Sequence, residues 1–236
     1  EILNKIDFNK INYDDLIGLA SSHLMIPALY VRLRKNNMLS LIDKDFKNYI
    51  KYIYEINKNR NETLIKELSE LSQFFTENNI DHVFLKGSAF LAFKRFDDLG
   101  ERMIGDIDVL VAKSDFDKAV KLSQKCGYFT NAVFIFDTKH YPRMNHPKKL
   151  FSLEIHNRLL KKKNMLLKSE NFLQRKIRTQ SNLNIPSKID FLVHTIYNFQ
   201  INDFGNLKAS LSLRSLYDIL TLKSEVNEML EVRHSK

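Results

Sequence analysis

The sequence predicts an α/β (α+β) fold, a mixed-sheet core over residues 80–160 flanked by helical segments at 1–79 and 161–236. Three observations predict it. Apolar residues recur at helical spacing through 13–35 and 41–79, the second stretch carrying Ile50, Ile53, Tyr54 and Ile56, then Leu64, Leu68, Leu71 and Phe75. Beyond residue 80 the pattern changes to short apolar runs, one of them rich in β-branched residues. With only 6 Gly and 4 Pro, long stretches can stay helical without interruption.

Each element has a local signal. His82-Val83-Phe84-Leu85 predicts a strand that ends in Lys86-Gly87-Ser88, and a helix follows over Ala89–Phe96. Asp106-Ile107-Asp108-Val109-Leu110-Val111 predicts the next strand. Ser114 then caps a helix, with Asp117 in the capping-box position and Gly127 as the stop after Cys126, which reads as a core residue. Tyr128–Phe136 and Leu150–His156 are further strands. Ile185-Pro186 opens a helical stretch to the end, since proline suits a first helical turn. Strands joined by a helix between 82 and 111 predict a βαβ-like core.

Composition excludes several classes. A chain of 236 residues buries a real core, and 44% hydrophobic with 28% charged residues is ordinary for a globular protein. A single cysteine rules out an internal disulfide and suits a reducing, cytoplasmic setting. No apolar run approaches the roughly 18 residues of a membrane span, so no membrane partner is expected. The opening EILNKIDFNK has no apolar signal core and no initiator Met, which points to a trimmed start. The net charge of +9 draws in anions: nucleic acid, a nucleoside triphosphate or an acidic protein.

The chemistry centres on Asp106 and Asp108. Residues two apart on a strand share a face, so these carboxylates point together while Ile107, Val109 and Val111 point into a core. Two like charges on a partly buried face repel, and a hard cation such as Mg2+ relieves this through carboxylate and phosphate oxygens. Lys86-Gly87-Ser88 lies between a strand and a helix. Its glycine permits close backbone approach, and the helix start offers N–H groups to phosphate. Glu154, flanked by Leu153 and Ile155, sits on a strand of its own with His156 on the same face. A third carboxylate there completes a site that holds two ions about 3.5–4 Å apart. His140, His146 and His156 match no common zinc spacing. His140 and His156 are candidates for the acceptor side, and the stretch around His194 is expected to pack against the centre.

Strand, Gly-Ser turn, helix, Asp-x-Asp strand and a later acidic strand together resemble the polymerase-β-like nucleotidyltransferase superfamily. More narrowly the chain resembles a bacterial family of uncharacterised nucleotidyltransferases. The pieces are Phe84-Leu85-Lys86-Gly87, Arg102 to Val111, His140-Tyr141-Pro142 and Leu153 to Leu159, with a looser helical match near His194 and Arg214 to Asp218. The resemblance implies that Gly87 and Ser88 hold the triphosphate, with Lys86 and Arg102 as phosphate partners. Asp106 and Asp108 would bind two Mg2+ ions, with Mn2+ as a substitute. Glu154 would bind the ion that activates the incoming hydroxyl. The implied reaction transfers a nucleoside monophosphate from an NTP to an acceptor, which is a small molecule, RNA or protein, and releases pyrophosphate. The competing reading is an inactive module of this fold that binds nucleic acid or a protein. A longer gap between Ser88 and Asp106 than in the smallest superfamily members leaves the triphosphate contacts open.

Overall fold

The computed structural model describes residues 6–93, 98–132, 138–161, 167–202 and 212–222. They form two compact units, Glu1–Glu62 with Phe96–Met103 and Thr63–Arg95 with Ile104–Lys236. Among the described residues no single helix is long and apolar enough to cross a membrane.

In the first unit, the helical spacing through 13–35 is realised as two helices, α1 (Tyr13–Ser22) and α2 (Ile26–Lys35). The break has two local causes. Leu24 takes a left-handed φ of 56°, and Pro27 belongs in a first helical turn, where its missing N–H costs nothing. The helices bend by 119° across it. Helix α3 (Lys44–Glu77) starts here, and the Asp43 carboxylate accepts the N–H groups of Asp45 and Phe46 at 2.8 and 2.9 Å. Ala20, Ile26, Tyr30, Val31, Phe46, Ile50 and Tyr54 form the core of this unit. The α3 residues Asn57 and Asn61 donate to the carbonyls of Gly100 and Leu99, each at 2.7 Å, and to that of Arg102.

The second unit holds the rest of α3 and a three-stranded sheet in the order β1 (His82–Phe84), β2 (Asp106–Val111), β3 (Ser152–His156). The sheet is mixed: β1 runs antiparallel to β2, and β2 runs parallel to β3. Helix α4 (Lys86–Ala92) therefore connects antiparallel neighbours, so residues 82–111 do not form the βαβ-like unit expected there, and the parallel crossover runs instead from β2 through α5 (Phe116–Lys125) to β3. Ile107, Val109 and Val111 are fully buried as their alternation requires, and so is Leu110 on the carboxylate face, where it packs with Val83 and Leu85. Phe90 and Phe93 pack on Phe191 of α7 (Lys188–Tyr197) with ring centroids 4.4 and 5.6 Å away.

Some local expectations need correction. No capping box forms at α5, because residues Lys113–Asp115 make a short 3-10 turn and Asp115 takes the cap position without a side-chain bond. Cys126 is exposed rather than in the core, one residue before Gly127 turns the chain at φ +101°. Pro186 precedes the cap of α7, which is Ser187. The segment after 161 holds α6 (Ser169–Gln174), a two-stranded hairpin of β4 (Ile177–Arg178) and β5 (Asn184–Ile185), and a helix over 213–222 besides α7. Of the strand expected over Tyr128–Phe136, Phe129 makes a bridge to Asn145, and 133–137 lie outside the described residues.

One further piece of chain borders β3. His140 bridges His156 and Met144 bridges Leu153, both antiparallel. Between these bridges Tyr141, Pro142 and Arg143 stand against only Glu154 and Ile155, so the segment carries a bulge. Pro142, which has no N–H to give the ladder, sits in it.

Candidate functional site

Parallel pairing of β2 and β3 sets Asp106 opposite Ser152, Asp108 opposite Glu154 and Leu110 opposite His156. Three carboxylates and an imidazole thus share one sheet face. Asp108 is 2% exposed, Glu154 8% and His156 1%, while Asp106 lies at the more open end.

Basic side chains and an imidazole already meet these acids. The Lys86 Nζ lies 2.5 Å from Asp108 Oδ1, and His156 Nε2 lies 2.8 Å from the same oxygen. Lys86 is held in the left-handed region, φ 48°, at the first residue of α4. Strained backbone of this kind in a non-glycine residue persists where surrounding structure demands it. Arg143, on the bulge, donates through Nε and Nη2 to Glu154 Oε1 at 3.2 and 3.1 Å, and through Nη2 to Asp106 Oδ2. The other Glu154 oxygen, Oε2, faces His156 Nε2 at 3.7 Å and His140 Nε2 at 3.9 Å. His140 Nδ1 is 2.8 Å from the Tyr141 carbonyl, which fixes the proton on Nδ1 and leaves Nε2 bare toward the site.

The charges sort the acids. Burial pushes the Asp108 carboxyl up, but Lys86 and His156 more than offset it and hold the group well below the usual carboxylate range. For Glu154 burial acts the same way, and His156, Lys86 and His140 bring it down to about 2. Asp106 moves up, through burial first and then the neighbouring charges of Asp108 and Glu154. It is the acid with the least compensation. Burial, then the charge of His156, lowers His140.

One oxygen each from Asp108 and Glu154 and one nitrogen of His156 lie within 4.8 Å of one another, a spacing that fits a divalent ion. Carboxylate oxygens dominate the donor set, which suits Mg2+ or Mn2+. The structure therefore brings together Lys86, Asp106, Asp108 and Glu154. Ser88 is fully buried, with its hydroxyl 3.4 Å from the Asp106 carbonyl. Arg102 belongs to the first unit, is 8% exposed, and donates its guanidinium to the Met103 carbonyl. Sequence reasoning missed Arg143, since KHYPRMN carries no strand period and its proline argues against pairing.

Gly87 has a packing reason to lack a side chain. A Cβ there would lie 3.0 Å from Ile104 Cγ2 and 3.1 Å from Cγ1. Gly87→Ala is expected to cost about 1–2 kcal/mol of stability in denaturant melts, in the range of mild overpacking. Adding Ile104→Val should recover part of it, a coupling that a double-mutant cycle reads directly.

His194 of α7 is edge-on to Phe172 with ring centroids 5.7 Å apart, and the charges of Lys86, His156 and Asp108 reach it. Neither ring nitrogen has a hydrogen-bond partner among the described residues. Burial, then the charge of Lys86, pushes its pKa down to about 3. The unfolded chain therefore takes up a proton here between about pH 6.5 and 3 while the folded chain does not, so stability falls as pH falls. His194→Leu should remove about 2 kcal/mol of the loss between pH 7 and pH 5, measured as a flatter stability profile.

A family model described as uncharacterised nucleotidyltransferase matches residues 9–230. No curated protein matches. Among solved structures, an antigenic nucleotidyltransferase-like protein from Paracoccidioides brasiliensis aligns at 17% identity and TM-score 0.39, over 68% of this chain and 75% of its own. The family match spans α1 to beyond α7 and takes in both acidic strands, so the chain belongs to the uncharacterised nucleotidyltransferase family.

Proposed function

We propose that the protein transfers a nucleoside monophosphate from an NTP to an acceptor hydroxyl and releases pyrophosphate. The observation that carries this reading is the β2–β3 register, which sets Asp108 beside Glu154 with Asp106 on the same face. Asp106, Asp108 and Glu154 would hold two Mg2+ ions. Held there, they would supply charge neutralisation for the triphosphate and a lowered pKa for the attacking hydroxyl. Lys86 and Arg143 contribute positive charge where the phosphates carry negative charge. Gly87 would border the triphosphate at the start of α4, and roles for the fully buried Ser88 and for Arg102 rest on the family likeness alone. Glu154 Oε2 and His140 Nε2, 3.9 Å apart, are the proton acceptors on the acceptor side.

A second reading has one observation in its favour. Lys86, Arg143 and His156 give every acid a hydrogen-bond partner from within the chain, so none of the three carboxylates is left unpartnered without an ion. An inactive module that binds nucleic acid or a protein is compatible with that arrangement. The experiment is a screen of four labelled NTPs with Mg2+ against small-molecule, RNA and protein fractions. Label transfer that vanishes with EDTA supports the enzyme. Salt-sensitive RNA or DNA binding that ignores Mg2+, with no transfer to any fraction, supports the module.

A further inference from the structure

The geometry points to Arg143 as an exchangeable countercation. It holds Asp106 and Glu154 together, yields their oxygens to a divalent ion, and then serves the triphosphate. The inference rests on the metal-dependent reading above and assigns this residue its place in it.

The two cations of the site are held differently. Lys86 reaches one acid, its side chain is 29% exposed, and its backbone is fixed at the head of α4. Arg143 spans two acids, its side chain is 55% exposed, and it sits on the bulge, outside the regular ladder. A long, half-exposed side chain moves at small cost, whereas a buried one is confined.

The oxygens also divide. Glu154 turns Oε2 toward the imidazoles and gives Oε1 to Arg143, together with Oδ2 of Asp106. Arg143 thus fills the seat between Asp106 and Glu154, apart from the one made by Asp108, Glu154 and His156. An ion that takes the first seat must displace the guanidinium. Asp106, whose carboxyl is crowded by two like charges, gains most from that exchange. A displaced guanidinium is a planar fork beside the metal site, matched to phosphate oxygens. Arg143 is in this sense a positioning residue that couples ion entry to phosphate capture.

The test measures Mn2+ binding without nucleotide, by calorimetry and by counting free Mn2+ in electron paramagnetic resonance. It compares the wild-type chain with Arg143→Ala, Arg143→Gln and the control Lys148→Ala. Lys148 is an exposed cation further along the same segment. Both Arg143 variants should bind Mn2+ about tenfold more tightly, because no charge-assisted hydrogen bonds need to be given up. Lys148→Ala should change affinity by less than about twofold, as expected for a screened surface charge. In Mn2+, the Arg143 variants should bind NTP about tenfold more weakly. In EDTA, Arg143→Ala should melt a few degrees lower, since Asp106 and Glu154 are left to repel each other. Equal Mn2+ affinity in wild type and both Arg143 variants, with Mn2+ bound in each, overturns the exchange and leaves the metal site standing. Equal gains in Lys148→Ala and Arg143→Ala overturn it too, as a general charge effect. Absence of Mn2+ binding in every protein overturns the metal-dependent reading itself, and the exchange with it.

Discussion

Asp108→Asn is expected to lose nucleotidyl transfer by about a thousandfold or more, and also to melt at a lower temperature than wild type in EDTA. The first effect follows from the proposed site, where Asp108 is one of the three carboxylates that would hold the ions. The second follows from its partners. Asp108 is the counterion of Lys86 and the hydrogen-bond partner of His156, and it is 2% exposed. Breaking a buried pair by neutralising one member strands the other, at roughly 3 kcal/mol. Lys86 keeps some solvent contact, which places the loss at the lower end of that range. From sequence alone, neutralising either Asp106 or Asp108 relieves repulsion and holds or raises stability. The structure separates the two. Asp106 is the acid whose carboxyl is pushed up by burial and by its neighbours, so Asp106→Asn should melt at or above the wild-type temperature in EDTA. Thermal melts of both variants, beside single-turnover transfer rates, give the comparison. An Asp108→Asn protein with wild-type transfer would remove Asp108 from the reaction. A melting temperature above wild type would mean that Lys86 and His156 do not depend on it.

Glu154→Gln should lose most of its single-turnover rate, about a hundredfold or more, while its affinity for Mg2+-NTP stays within about threefold of wild type. Glu154 is assigned to the acceptor side, where its Oε2 faces His140 and His156. The interactions of that oxygen matter once the attacking hydroxyl gives up its proton, and therefore in the transition state more than in substrate binding. Asp106→Asn is expected to weaken both binding and rate. Equilibrium NTP titration beside rapid-quench turnover separates the two variants. Full single-turnover rate in Glu154→Gln would leave an incomplete acidic pair and favour the binding module. Glutamine keeps the oxygen that accepts from Arg143 but loses the charge, so a modest change in melting temperature accompanies the kinetic loss.

The helical and strand segments were largely legible along the chain, because their signals are local. The alternation in Asp106–Val111 placed both carboxylates on one face of that strand, and the alternation in Ser152–His156 placed Glu154 with His156 on one face of theirs. The helical spacing through 13–35 did not show where the stretch divides: Pro27 marks the second start, but the left-handed turn at Leu24 has no side-chain signal. The capping box at Ser114 met its pattern without the bond, since a 3-10 turn moved the cap to Asp115. Each of these misses lies at an element boundary, where local propensity is weakest.

The sequence by itself determined which acids could act together on each strand, the mixed character of the sheet and the family likeness. Only the tertiary structure decided that Asp108 lies opposite Glu154, that Lys86 and His156 meet on one Asp108 oxygen, and that Arg143 joins Asp106 to Glu154. The physical reason is range. Side-chain alternation repeats every two residues and can be read within a strand, but pairing register and a bulge beside Pro142 depend on segments far apart in the chain. Which cation neutralises which acid follows from that register, through distances of a few ångströms that no spacing in the sequence encodes.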